Sequence, residues 1–424
     1  MYLSNNYKFS KISILNFIIA TIPLSLILGN LATNLNIIIV CILGLYIYKK
    51  QIFEINNKIY YYFIYLFFFY LILITLINNF QFLNFNSIQK DHFFKSIFYL
   101  RYLIFFLVIK TLVEKDDFDN KIFFLSCAFF SAIVSIDLVI QFLFKKNILG
   151  YPIIANKPSS FFKEEIIAGG FIQKFSLFFI FLLVVKKKLN SFILIIFLLF
   201  LIPIILSGNR MPMIIYIMSI LLYFLVEKKF KEIIIAIIIS SLIIFSFIKF
   251  PISKRLHIDL NIFFNESLYI LKKAPKLFLY NKGENIVFGG TGYLIHFNTG
   301  IQIWKNNKIF GNGLKSFRIK CTYDNYQTCN THPHNYFIEL LVDVGIIGVF
   351  LIYLTFIIGL KNFLKFYYNK KPKIQKIAGC VFFLVIFFEF FPFRSTGSFF
   401  TTSNSAFIFL ILPIFLNVKK LNKL

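Results

Sequence analysis

Apolar positions in this chain run on in long blocks instead of alternating or recurring on one helical face. A hydrocarbon core of about 30 Å takes roughly 17–25 mostly apolar residues per helix. About twelve such runs are separated by Lys, Asn or Pro clusters: 12–29, 31–48, 59–78, 97–113, 121–144, 166–185, 190–207, 211–226, 232–249, 335–360, 376–393 and 403–418. The pattern predicts an all-α polytopic membrane protein, a single membrane domain over residues 1–424 with about twelve transmembrane helices. One stretch departs from it. Residues 251–334, between the ninth and tenth runs, are richer in Gly, Asn and other polar positions than the apolar runs, including Gly289-Gly290-Thr291-Gly292 and Gly311-Asn312-Gly313. A segment that short makes a poor independent core, so it is expected to cap the bundle. Within it, Leu294, Phe297, Ile301 and Trp304 predict an amphipathic helix over 293–307 that packs on the membrane helices.

Charge assigns the sides. Cytoplasmic loops are rich in Lys and Arg, and alternate loops here carry Lys49, Lys50 and Lys58, then Lys115 and Lys121, Lys186 to Lys188, Lys228 to Lys231, and the run from Lys361 to Lys376. Both termini, with Lys8 and Lys11 at one and Lys419, Lys420 and Lys423 at the other, fall on that same side. The 251–334 segment then faces the periplasm. The first run follows two lysines as a signal peptide would, but no small-residue cleavage site follows it, and it is read as a retained anchor.

Composition narrows the class without changing that picture. The 424 residues are 58% hydrophobic, 20% aromatic and 15% charged, with a formal net charge of +27. Soluble domains carry about 25% charged residues. A nucleic-acid binder clusters its basic residues on a polar face, and 61 Phe leave little room for one. The Phe, Ile, Lys and Asn excess also fits an AT-rich genome, which explains residue choice but not placement.

Ionisable groups at membrane depth are costly and mark function by default. The set here is Arg101, Asp137, Lys174, Arg210, Glu339, Asp343 and Glu389. Arg101 is expected to open the fourth span, where snorkelling is its alternative reading. Arg210 lies in the tight outer turn Ser207-Gly208-Asn209-Arg210. Asp137, Lys174 and Glu389 would also suit a flippase or secondary transporter, which calls for ionisable groups deep in several spans and paired interrupted helices. The richest constellation is Thr331-His332-Pro333-His334-Asn335, followed by Glu339 and Asp343. Pro333 and Asn335 suit a helix start. Asn335, Glu339 and Asp343 at i, i+4 and i+8 form one polar stripe that must face protein or a wet cavity, and Gly345 and Gly348 would admit a close neighbouring helix. His334, near the positive end of the helix dipole, is disfavoured as imidazolium. A neutral imidazole serves as a general base; a His-x-His metal pair with His332, or a plain capping role, are the other readings. Cys321 and Cys329, eight positions apart in the outer segment, would form a small disulfide loop in an oxidising compartment. Without CxxC spacing they are a weaker signal for metal.

The string His334-Asn335-Tyr336-Phe337-Ile338-Glu339 through Gly348, preceded by His332-Pro333, resembles the signature of the O-antigen ligase and polymerase family, integral-membrane glycosyltransferases of the GT-C class. IWKNNKIFGNGLKSFR (303–318) is similar to that family's Gly-x-Gly-x-x-x-Phe segment, SGNRMPMI (207–214) to its Ser-x-x-Arg turn, and KPSSFFKEEIIAGGFIQKF (157–175) to the region before its sixth helix. The resemblance covers 157–360. It implies transfer of a glycan from an undecaprenyl-pyrophosphate carrier to an acceptor hydroxyl at the periplasmic face of the bacterial inner membrane. The acceptor would be lipid A-core for a ligase in lipopolysaccharide biosynthesis, or another carrier-linked glycan for a polymerase; the large outer segment leans toward ligase. It implies no cofactor, no metal and an inverting mechanism, and no nucleic-acid partner. His334 and Arg210 take the family's catalytic positions, and substrate contacts are expected from Arg101, Arg318, His332, Asn335 and Glu339.

Overall fold

The computed structural model describes residues 10–54, 58–80, 87–154, 157–180, 190–249, 292–323, 329–369, 372–392, 394–395 and 397–420. About half of the expected outer segment, 251–291 with Gly289-Gly290-Thr291, lies outside the described residues, as do Lys8, Lys423, the Lys186–Lys188 cluster and the end of the 166–185 run.

The described residues are helical, with no strand beyond two isolated bridges in the loop after the seventh helix. In chain order the helices are α1 Lys11–Ala20, α2 Ile22–Leu28, α3 Asn30–Tyr48, α4 Ile59–Phe80, α5 Ser87–Phe98, α6 Leu100–Glu114, α7 Asn120–Phe144, α8 Ala168–Phe175, α9 Asn190–Leu206, α10 Arg210–Val226, α11 Phe230–Lys249, α12 Gly292–Asn306, α13 Phe317–Tyr323, α14 Tyr336–Tyr368, α15 Lys373–Glu389 and α16 Thr402–Leu416.

By length and composition, five helical stretches of the described residues can cross a membrane, and six if α1 and α2, bent by 43° at Thr21, count as one. Pro23 in the first turn of α2 explains that bend, because its ring fixes φ and supplies no N–H. The stretch that corresponds to the fourth predicted run spans His92–Glu114 through the α5–α6 junction, earlier than the predicted start at 97, so Arg101 lies inside it instead of opening it. Four shorter apolar helices accompany them: Ala168–Ile180, Leu194–Leu206, Arg210–Val226 and Thr402–Leu416.

The centre of the bundle is α16, whose residues from Ser405 to Leu416 are all buried. It packs on α3, α6, α14 and α15, while α14 lies along α4 and α12. Aromatic residues interlock there: the Phe409 ring meets those of Phe68, Tyr99 and Tyr102 at 5.1 to 6.2 Å. Outside, Phe17, Leu31, Phe69, Phe144 and Phe350 are exposed. A surface that apolar would aggregate in water and suits hydrocarbon as solvent.

The bundle has two polar ends. At one, the start of α4 and the ends of α6 and α16 converge: Lys58 donates to Glu114 (2.6 Å) and Asn417 (2.9 Å), Tyr61 donates to Glu114 (2.7 Å), and Asn417 donates back to Tyr61 (2.7 Å). Nearby Lys110 donates to the carbonyls of Ile52 and Glu54, and Tyr48 to Asp117. The other end holds the starts of α14 and α16.

Candidate functional site

At that second end the polar stripe of α14 faces protein along its whole length. Asn335 is the N-cap: its Oδ1 accepts from Ile338 N–H (2.9 Å) and its Nδ2 donates to the carbonyls of Pro392 (2.7 Å) and Arg394 (3.0 Å). Glu339, one turn on, accepts from the Ser398 hydroxyl and the Phe399 N–H, both at 2.5 Å. Asp343 accepts from Lys315 N–H (2.7 Å), Ser316 N–H (3.0 Å) and the Ser316 hydroxyl (2.8 Å), which ties down the entry to α13. Glu339 and Asp343 accept from loop N–H groups and serine hydroxyls, and Asn335 caps its own helix while donating to loop carbonyls, so all three position the site's loops.

Two positions later α14 breaks. Gly345 has φ 61° and ψ −168°, and the 308–313 segment inserts its backbone into the gap. Asn312 and Gly313 N–H donate to the carbonyls of Val342 (2.9 Å) and Asp343 (2.7 Å); Ile346 and Ile347 N–H donate to those of Lys308 (3.0 Å) and Ile309 (3.3 Å). Four backbone groups freed by the break are thereby satisfied. A Cβ on Gly345 would stand 2.3 Å from the Ile309 oxygen, and one on Gly311 would stand 2.4 Å from the Gly345 nitrogen. The expected helix–helix approach at Gly345 is instead an approach by a loop, and the glycine is needed for its left-handed backbone as well as its size.

The turn before α14 carries the imidazoles. His334 adopts φ 57°. Its ring lies 4.2 Å from that of His332 and 5.5 Å from that of His296, centroid to centroid. His296 comes from α12, which crosses α14 closely because Gly300, one turn further along, leaves room for Ile338 and Pro333. Asn330 joins the rings. Its Oδ1 accepts from Thr331 N–H (2.7 Å), which orients the amide so that Nδ2 donates to His334 Nε2 (2.9 Å) and to His296 Nε2 (3.5 Å). His332 Nδ1 meets the Thr331 hydroxyl at 2.8 Å. Among the described residues, His332 Nε2 and His296 Nδ1 are buried with no hydrogen-bond partner. Burial, with the neighbouring His334, His296 and Lys315, pushes the His332 imidazole down to about 4, and burial lowers His296 as well. Both are neutral near pH 7.

Cations stand around this turn. Lys315, in a left-handed conformation with φ 53°, is held below the ordinary lysine range by burial, against the attraction of Glu339 and with repulsion from Arg318 and Lys95. Arg318, half-buried on α13, approaches His92 Nε2 at 3.4 Å, while His92 Nδ1 donates to the Leu314 carbonyl (3.1 Å). Arg394, buried beside the α14 N-cap, pairs with Glu389 (2.7 Å), which also holds Lys174 (3.1 Å). Lys174 and Glu389, two of the groups that would suit a transporter, are therefore paired with each other. The third, Asp137, accepts from the Ser160 hydroxyl (2.6 Å) and Ile148 N–H (2.9 Å), which secures the loop after α7.

Arg210 begins α10 and is half-buried; the turn before it lies against Gly169 at the start of α8, the helix that carries Lys174. It thus belongs to the same end as His334, reached through α8 and the Lys174–Glu389–Arg394 chain. Arg101 donates to the Phe98 carbonyl (2.9 Å) and the Tyr102 hydroxyl (3.1 Å), with its guanidinium 4.6 Å from the Tyr102 ring centroid. Cys321 and Cys329 are joined by a disulfide, Cα to Cα 5.6 Å, and Cys321 is packed with Ile301, Phe317 and Val342.

Four contributors were not singled out from sequence: His296, Asn330, Lys315 and His92. For His296 the available signal was its spacing of four from Gly300 on the predicted amphipathic helix; the others have no local signature. Among the described residues no group of three or more His, Cys, Asp or Glu is arranged to hold a metal ion.

The arrangement offers neutral imidazoles with a bare nitrogen, flanked by cations, at one end of an apolar bundle. That equipment suits proton removal next to a bound anion. No curated protein matches the chain significantly. Residues 193–353, which include the Arg210 turn, α12, the 308–318 segment, the histidine turn and the start of α14, match the family model described as O-antigen ligase. That match supports the O-antigen ligase/polymerase family, and the apolar helices of the described residues suit a multi-pass membrane protein.

Proposed function

We propose that the protein transfers a glycan from an undecaprenyl-pyrophosphate carrier to an acceptor hydroxyl, as an O-antigen ligase with lipid A-core as acceptor. The observation that carries the reading is the imidazole cluster, in which an oriented amide donates to His334 Nε2 at 2.9 Å and so requires that nitrogen to be unprotonated. The acceptor oxygen attacks the anomeric carbon with inversion and its proton passes to His334 Nε2. The bond from that carbon to the carrier phosphate breaks, and undecaprenyl pyrophosphate leaves with the electron pair. The leaving group is already stable as an anion, so the chain's task is to hold its charge and take the proton. Arg210, Arg318 and Lys315 are the cations assigned to the pyrophosphate, with Arg101 a further substrate contact.

In this reading the histidine end faces the periplasm, the Lys58–Glu114 end faces the cytoplasm with both termini, about twelve spans cross the inner membrane, and 251–334 caps the outer side. His334→Ala and Arg210→Ala, each at normal membrane abundance, are expected to lower transfer at least about 100-fold, read from the surface-polysaccharide ladder. Wild-type ladders from an abundant His334→Ala protein would remove the base assignment. A deletion strain separates the acceptors: bare core with accumulated carrier-linked polymer fits the ligase, and core bearing a single repeat unit would assign the chain as a polymerase.

A further inference from the structure

An imidazole free in water prefers its proton on Nε2, the tautomer that cannot take a proton there. For His334 to act through Nε2, something must hold the proton on Nδ1. Asn330 is placed to do so: its Oδ1 is committed to Thr331 N–H at 2.7 Å, which leaves Nδ2 as a donor toward His334 Nε2 at 2.9 Å and His296 Nε2 at 3.5 Å. Asn330 has no helix of its own to rest on, since it lies in the turn between α13 and α14. Its immediate neighbour Cys329 is bonded to Cys321, and Cys321 is fully buried on α13 among Ile301, Phe317, Ile338 and Val342. The bridge therefore fastens Asn330 to the packed layer of α12, α13 and α14, which also carries His296.

We propose that Asn330 is a positioning residue for His334, selecting the tautomer with a bare Nε2, and that the Cys321–Cys329 bridge is the tether that keeps it there. The inference rests on His334 as the base. When the acceptor binds, its hydroxyl takes the place of the amide proton on Nε2, and Asn330 keeps its second contact with His296. A consequence is that transfer depends on an oxidised bridge although neither sulfur touches substrate.

The test uses the full-length protein in liposomes with carrier-linked glycan and lipid A-core purified from the producing strain, and reads initial rate against pH. The charged or titratable groups around the turn, His296 and Lys305 on α12, Arg318 and Lys320 on α13, Glu339 and Asp343 on α14, and His332, Lys315 and Arg394 in the loops, are left unaltered. Asn330→Ala is expected to lower kcat at least about tenfold with little change in KM, as a lost tautomer does in other histidine bases. Asn330→Asp, the closer match in shape, is expected to be worse than Ala at neutral pH and to move the acid limb of the profile upward, because a carboxylate favours a proton on Nε2. A residue that only filled space would rank the other way. The paired Cys321→Ser, Cys329→Ser variant is expected to fall toward the Asn330→Ala rate. Histidine ¹⁵N NMR, with His334 assigned by difference against His334→Gln, gives a readout independent of turnover: the Nδ1–H pattern in the wild type should become mixed in Asn330→Ala and on reduction. Full activity in Asn330→Ala, an Asp variant more active than Ala, or an unchanged ¹⁵N pattern would overturn the inference while His334→Ala stays inactive. Activity in His334→Ala would instead remove the reading beneath it.

Discussion

The two ends of the bundle use the same residue types for opposite purposes. At the Lys58–Glu114–Asn417 end, charges and amides pair side chain to side chain across helices distant in sequence, and Tyr61 closes the network. At the histidine end the carboxylates of Glu339 and Asp343 bind loop backbone, and His332 Nε2 and His296 Nδ1 have no partner among the described residues. A network that satisfies itself locks helices together. Buried nitrogens without partners cost stability, and are kept where something else is to meet them. The contrast is the one the proposed function expects, with structure at one end and chemistry at the other.

The sharpest way to break that contrast is to remove the frame of the histidine end. Gly345→Ala places a Cβ within 2.3 to 2.6 Å of backbone atoms at Ile309 and Gly311 and keeps a left-handed conformation that alanine resists. A loss of about 3 kcal/mol or more is expected, seen as a large fall in Tm and membrane abundance; a Tm near wild type would mean that the break in α14 is not required. Next is the opposite end. Glu114→Ala removes the acceptor shared by Lys58 and Tyr61, at a cost of about 2 kcal/mol, while the transfer rate per folded molecule stays at the wild-type value. A rate that fell with Tm held constant would show that this end also takes part in chemistry. The smallest effect concerns pH. His332 has its protonation depressed to about 4 in the folded chain, below the roughly 6.5 of an unfolded histidine. The unfolded chain binds the proton first, so this residue's contribution is intact above about pH 6.5 and is lost as pH falls toward 4. His332→Gln should flatten the decline of Tm over that window; an unchanged slope would place the acid sensitivity elsewhere.

Legibility from sequence followed locality. The i, i+4, i+8 spacing of Asn335, Glu339 and Asp343 identified a polar face that must be covered, and all three are covered by protein. Spacing could not say by what, because the partners lie at Ser398, Phe399, Lys315 and Ser316, far away in the chain or on the far side of a turn. The apolar string around Gly345 reads as uninterrupted helix, since a single glycine in such a run is common; its break exists only because 308–313 supplies replacement hydrogen bonds. His334 and His332 were visible as a pair two residues apart. His296 joins them from a separate helix through a contact at Gly300 that periodicity does not encode. Span counting is matched in part: run length records apolarity, and among the described residues five stretches, or six with α1 and α2 as one, are long enough to cross a membrane, beside four shorter apolar helices.

The stitched break at Gly345 divides α14 by allegiance. Before the break, Ile338 and Val342 pack with the α12–α13 layer and Asp343 holds Lys315 and Ser316; after it, Phe356 and Gly359 pack on Phe390 and on Phe415 of α16. The register of the 308–313 pairing therefore acts as an adjustable spacer. One residue inserted between Lys308 and Gly313 would offset the backbone pairing and carry the histidine turn along with it. Loop length between Lys308 and Gly313 is thus a means of moving the histidine turn against the rest of the bundle with none of its residues changed.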